Sequence, residues 1–145
     1  VRNIYDALVS LTDHVAQESS AFPMAWFNES HAAMPFDQRL AAVIELAAPW
    51  YFNFYTSWWC SKPNDIVLYE DVVASGRIAH YLVSWGIASS LEDVVAALAT
   101  IDPAQSRLNV GRPGRGAELM TCEQKEWVAS LTRHYPGIDF APIGL

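Results

Sequence analysis

The sequence has little cysteine, little lysine and no long apolar run. Its two cysteines, Cys60 and Cys122, form no CxxC pair and no zinc-ligand set. With no secretory signal pattern beside them, they predict free thiols in a cytoplasmic protein rather than a disulfide framework. Lys62 and Lys125 are the only lysines. Neither closes a glycine-rich strand-to-helix loop, so the phosphate-cradling P-loop pattern is absent from these residues. The most apolar stretch, 40–59, is interrupted by Glu45, Pro49, Asn53, Thr56 and Ser57. That excludes a span of the roughly 18–20 apolar residues a membrane demands. Positive charge is scarce as well. Nine Lys and Arg against 16 Asp and Glu leave a net charge of −7, which argues against nucleic acid as a partner.

What the sequence does have is apolar and aromatic mass. Hydrophobic residues make up 52% of the 145 and charged residues 17%, the balance of a globular chain rather than a disordered one. The length suits a single domain over 1–145. Six Trp, six Tyr and six Phe call for a core, a pocket or a partner surface to cover them.

Hydrophobic spacing predicts a mainly α fold of about six helices and one short strand. Ile4, Leu8, Leu11 and Val15 mark a helix over about 3–19, with Asn3 as its cap and Asp6 favourably placed against the helix dipole. Residues 20–35 read as a loop. Two helices follow, at about 37–47 and 49–60, separated by Pro49. The second carries Tyr51, Phe54, Tyr55 and Trp58 on one side. Ile66–Tyr69 suits a short buried strand. Further helices are expected at about 75–85, stopped by Gly86, and from Ser90, where Asp93 makes a variant of the capping box. Residues 102–116 read as a loop. The last helix starts at Thr121 with Gln124 three residues on and ends before Pro136 and Gly137.

Two places carry candidate chemistry. Arg107, Arg112 and Arg115 crowd into nine positions of an acidic chain, interleaved with Gly111, Gly114 and Gly116. Arginine forks and exposed amides are what a phosphate needs. At the other end, Arg2 precedes the first helix, and Ser10 lies seven residues after Asn3. Seven residues are two helical turns, ~10 Å along one face. An arginine and a serine hydroxyl so placed suit one phosphate between them. His14 and Glu18 lie at helical pairing distance but lack a third ligand at a metal-binding spacing, so no metal site is assigned.

These segments together resemble the sulfotransferases that use 3′-phosphoadenosine-5′-phosphosulfate (PAPS). "VRNIYDALVSLTDHV" is similar to the family's first 3′-phosphate motif, with Arg2 and Ser10 on its two phosphate-binding positions. "NVGRPGRGAELMT" resembles the second motif, the RKGxxGDWKxxFT loop, with Gly111, Gly114 and Thr121 in register. Asn109 and Val110 stand where the family has Arg and Lys, and Arg115-Gly116 replace an Asp-Trp pair. "YFNFYTSWW" looks like the aromatic helix between the motifs, and "IVLYEDV" like the strand that follows it, with Tyr69 at the adenine-contacting position.

The resemblance implies the C-terminal half of the sulfotransferase α/β P-loop fold. It implies PAPS or adenosine 3′,5′-bisphosphate as ligand, weakly held by Arg2, Ser10, Tyr69, Arg107, Asn109, Val110, Gly111, Arg112 and Arg115. The family's phosphosulfate loop and catalytic histidine lie before the Arg-Asn motif, and the sequence starts at Val1. No catalytic residue is assigned; of the histidines, only His31 in the 20–35 loop stands where such enzymes shape the acceptor site. The expected partner is a missing N-terminal half or a second copy. A homodimer would pair the 66–69 strands or pack the aromatic helices together, because a bare strand edge and an all-round apolar helix both need cover.

Overall fold

Asn3 begins the fold. Its Oδ1 accepts hydrogen bonds from the amides of Tyr5 and Asp6 at 3.0 and 3.3 Å. Two of the unpaired amides at the start of α1 (Ile4–Gln17) are thereby satisfied. The computed structural model describes residues 1–19, 26–74, 77–101 and 112–145, without the side chains at positions 63, 73 and 74. All regular structure among these residues is helical. After α1 come α2 (Glu29–Ala32), α3 (Phe36–Ser61), α4 (Ile78–Ser84), α5 (Leu91–Ala99), α6 (Arg115–Leu119) and α7 (Cys122–Ser130). Single turns of tighter or wider helix lie at Pro63–Asp65, Glu70–Ala74, Leu131–His134 and Ala141–Ile143.

The predicted strand at Ile66–Tyr69 is not among the described elements. The Leu68 carbonyl accepts from the amides of Asp71 and Val72, both at 3.1 Å, so the apolar run turns into a helical coil instead of pairing sideways. With no strand among the described residues, 66–69 offers no bare ladder edge, and that reason for a dimer falls away. The loop predicted over 102–116 is also shorter than expected at its far end, where α6 begins at Arg115.

The two helices expected on either side of Pro49 are one. Proline offers no amide to the carbonyl of Glu45 and crowds it. Both residues lie on the exposed side of α3, where water can hydrate the freed carbonyl, while Ala47 and Ala48 are buried at 1% and 0% exposure. The apolar stripe runs through the proline and overrides it. At 26 residues α3 is the longest helix described, yet no described helix is long and apolar enough to cross a membrane.

The chain forms two compact units, Val1–Ile66 with Gly114–Leu145, and Val67–Pro113. In the first, the buried stripe of α3 (Leu40, Val43, Ala47, Tyr51, Phe52, Tyr55) shares a core with Ile4 and Leu8 of α1 and with Val128 of α7. Phe52 stacks on Tyr135 at 5.5 Å and meets the edge of Phe140 at 5.2 Å. Phe54 and Trp58, expected beside Tyr51 and Tyr55, are instead exposed. Burial follows the three-four spacing 44, 47, 48, 51, 52, 55, which leaves 54 and 58 off the stripe.

The second unit is built round a hairpin of α4 and α5. Gly86, at φ +71°, turns the chain after α4. Ser90 caps α5: its Oγ accepts from the Asp93 amide at 3.1 Å and donates to the Asp93 carboxylate at 2.8 Å. Thr121 and Gln124 form the full reciprocal box that opens α7 in the first unit.

Candidate functional site

The first helix and the segment after the arginine-rich loop are joined by carboxylates. Asp6 is 3% exposed. Its Oδ2 accepts from the Gly114 amide at 2.7 Å, and its Oδ1 accepts from the Gly116 amide at 2.6 Å. Two turns further along α1, Asp13 pairs with the Arg115 guanidinium at 2.7 Å, with 12% and 14% of the two side chains exposed. Charge-assisted bonds of this kind contribute about 1.5–3 kcal/mol each. Gly116 makes the approach possible: a Cβ there would run into the backbone and Cβ of Tyr5. From the α7 side, the Lys125 ammonium donates to the Ala117 carbonyl at 2.7 Å. Burial pushes the Tyr5 phenol above its ordinary pKa.

Arg2 is fixed from behind. The Tyr51 hydroxyl accepts from the Arg2 amide at 3.1 Å and donates to the Arg2 carbonyl at 2.6 Å. This seats the start of the chain on α3. Ser10 is half-buried on α1.

Arg2, Ser10 and Arg115 therefore belong to one unit. Tyr69, which is half-buried, and Arg112, which is exposed, belong to the other. Arg107, Asn109, Val110 and Gly111 lie outside the described residues. Arg115 has a carboxylate partner of its own. Arg115 answers Asp13, and position 116 has no room for a side chain.

The histidines are engaged locally or exposed. His31 Nδ1 accepts from the Asn28 amide at 3.3 Å in the cap of α2. His14 Nδ1 lies 3.3 Å from Glu18, and His134 Nε2 accepts from Arg133 at 3.2 Å. His80 is exposed on α4. Cys60 and Cys122 are exposed free thiols. Among the described residues no group of three or more His, Cys, Asp or Glu is placed to hold a metal ion.

Two open grooves lie elsewhere. One of about 300 Å³ runs between α3 and α7, past Glu45, Glu123 and Trp127. The other, about 580 Å³, lies along the hairpin between Leu82, Val94, Leu98 and Ile101. Neither includes a residue of the predicted nucleotide site.

Sequence reasoning missed Asp6 and Asp13 as structural ligands. Asp6 was legible only as a charge near a helix N-terminus. The available signal was its company: Asp6 and Asp13 sit seven apart on a face that also holds Val9 and Thr12, where an ordinary surface carboxylate does not belong. Comparisons with family models, with curated proteins and with solved structures return no match for this chain.

Proposed function

We propose that the chain carries the 3′-phosphoadenosine side of a sulfotransferase-type nucleotide site. Arg2 and Ser10 hold the 3′-phosphate; the resemblance assigns the adenine to Tyr69 and further amides and arginine forks to the 107–116 loop. The observation that supports this reading is the junction of α1 with Gly114–Gly116. It ties the two segments that resemble the family's 3′-phosphate motifs to each other, although more than 100 residues separate them. In a complete enzyme, in-line transfer of a sulfuryl group to a hydroxyl or amine would take place beside such a site. These 145 residues contain no phosphosulfate loop to stabilise charge on the bridging oxygen, and that stabilisation is a large part of the rate. The chain by itself therefore binds and does not transfer.

Calorimetry with adenosine 3′,5′-bisphosphate tests the reading. The expected dissociation constant is on the order of 0.1–1 mM, about −4 to −5.5 kcal/mol. Arg2→Ala should remove most of that affinity, since a charge-assisted contact is worth about 1.5–3 kcal/mol. Adenosine 5′-monophosphate, which lacks the 3′-phosphate, should bind more weakly still. No heat at millimolar ligand, or an Arg2→Ala variant that binds as before, would overturn it.

A second reading, a non-catalytic interaction module, is favoured by one observation. Trp85, Ile87, Val95 and Ile101 of the second unit stand 55%, 68%, 59% and 54% exposed, an apolar surface of the kind partners cover. The homodimer remains part of the proposal through α3, whose Phe54 and Trp58 are 38% and 47% exposed. Light scattering at tens of micromolar should give twice the 16.1 kDa chain mass, and Phe54→Glu should return it to monomer. A monomeric mass for the unmodified chain removes the dimer.

A further inference from the structure

The cations of the first unit answer carbonyls and side chains elsewhere. Arg39 donates to the carbonyls of Thr12, Ala32 and Met34. Lys125 donates to the Ala117 carbonyl, and Arg115 pairs with Asp13. Lys62 lies 3.9 Å from Asp65, and Arg133 donates to His134. Glu45 of α3 and Glu123 of α7 are left with no cation among the described residues. Both line the groove of about 300 Å³ between these two helices.

We propose that this groove binds the guanidinium of an arginine side chain presented by a partner protein. Its lining residues, Ala41, Ile44, Glu45, Glu123, Gln124 and Trp127, all lie in the first unit. They recur at three and four on each helix, so each wall is one strip of a helix surface. Each strip carries one glutamate. Ile44 is buried, and Trp127 is 41% exposed with no ring partner among the described residues. The Thr121–Gln124 capping box fixes the start of the α7 wall. Carboxylates beside an uncovered indole match a guanidinium in three ways. Its planar fork meets a carboxylate with two parallel bonds. Its face stacks on an indole, the best of the aromatic rings for a cation. It also sheds water more readily than an ammonium does. The net charge of −7 draws a basic segment towards the chain. A phosphate would be repelled by the same two carboxylates, so this groove is separate from the nucleotide reading. Glu123 is the second residue of α7, where the positive end of the helix offsets part of its charge. Glu45 lies within α3 and has no such offset, so it contributes more.

The test is titration of the full chain with a Gly-Arg-Gly peptide blocked at both ends, followed by the indole N–H resonance of Trp127. A saturable shift is expected, with a dissociation constant on the order of 1–10 mM. The same peptide with citrulline in place of arginine keeps the shape and loses the charge, and should bind at least about tenfold more weakly. The lysine peptide should be weaker than the arginine peptide. Free arginine should be weaker too, since its own carboxylate meets the two glutamates. Glu45→Gln should cost about fivefold and Glu123→Gln about threefold. Glu92→Gln removes one charge from an exposed position of α5 and should change nothing. Trp127→Leu, read by calorimetry, should weaken binding about threefold. All four positions are exposed, so the melting temperature should hold; if Trp127→Leu does not fold, the glutamate variants decide. No saturable shift, a citrulline peptide that binds as well, or glutamate variants that match Glu92→Gln would overturn the site. A lysine peptide that binds as tightly would overturn the guanidinium, and free arginine binding as tightly would overturn the protein partner. None of these outcomes touches the binding of adenosine 3′,5′-bisphosphate, which is measured separately.

Discussion

The two units use apolar residues in opposite ways. In the first, Ile4, Phe52, Tyr55 and Ile143 are fully buried, and rings from α3 interlock with Tyr135 and Phe140. In the second, the described side chains bury only Ala79 and Val94 to a comparable degree, while larger ones, Trp85 and Ile87 among them, face outward. Yet α5 is as amphipathic in sequence as α1. Leu91, Val94 and Leu98 repeat as faithfully as Ile4, Leu8 and Val15. Periodicity says which face of a helix wants burial, and it does not say how much material arrives to bury it. Fully burying a Leu- or Ile-sized side chain contributes about 1.5–3 kcal/mol, against roughly 1–2 kcal/mol lost for each residue whose backbone is fixed. The first unit has a core that meets this demand. The second, on its described buried side chains, does not.

The sharpest way to break that comparison is a cavity. Phe52→Ala should cost about 3–5 kcal/mol of unfolding free energy in urea, whereas Trp85→Ala should stay within about 0.5 kcal/mol. Equal losses would mean that the hairpin has a core after all. A smaller contrast concerns charge. Arg115→Ala removes the ion pair to Asp13, at 12% side-chain exposure, and should cost about 1.5–3 kcal/mol. Arg77→Ala, on an exposed residue of the second unit, should be nearly silent by the same measurement. The gentlest test is alkaline. Burial, then the Asp139 carboxylate, then Tyr51 push the Tyr55 phenol up to about 12 from an ordinary 10.0. Its neutral form, which donates to the Asp139 carbonyl at 2.7 Å, is favoured in the folded state. That stability is fully present below pH 10 and is lost as pH rises towards 12, because the unfolded chain gives up its proton first. Tyr55→Phe should flatten this part of the stability curve, and a slope that survives the substitution would show that another group carries it.

Local features were legible in the sequence and distant ones were not. Asn3, Ser90 and Thr121 cap helices as their neighbours predict, because a cap closes within three residues. Gly86 and Gly137 take positive φ after helical segments for the same reason. Pro49 misled, because its local penalty of about 3 kcal/mol is set against a stripe of buried residues on both sides that a local reading undervalues. Ile66–Tyr69 misled because a short apolar run has no periodicity to separate strand from coil. At the candidate site, helix spacing places Ser10 on α1 and Arg2 just before it. Arg115 read as a phosphate ligand from composition alone, while its carboxylate partner, Asp13, lies 102 residues earlier in the sequence. Asp6 was hidden most completely, since both its partners are over 100 residues away.

That distance also orders events in time. The bonds from Asp6 to Gly114 and Gly116 close spans of 108 and 110 residues. During synthesis at about 5–20 residues per second, α1 waits roughly 5–20 s for its partners to be made. Once the partners emerge, the entropy of closing so long a span depends only logarithmically on its length, about 0.6 kcal/mol for each doubling. Insertions or deletions within 67–113 therefore change the thermodynamics of this closure little, while each added residue postpones it. In refolding from denaturant, contacts of such separation form slowly compared with helix capping, so the caps of α1 and α7 should be in place before Asp6 meets the glycines.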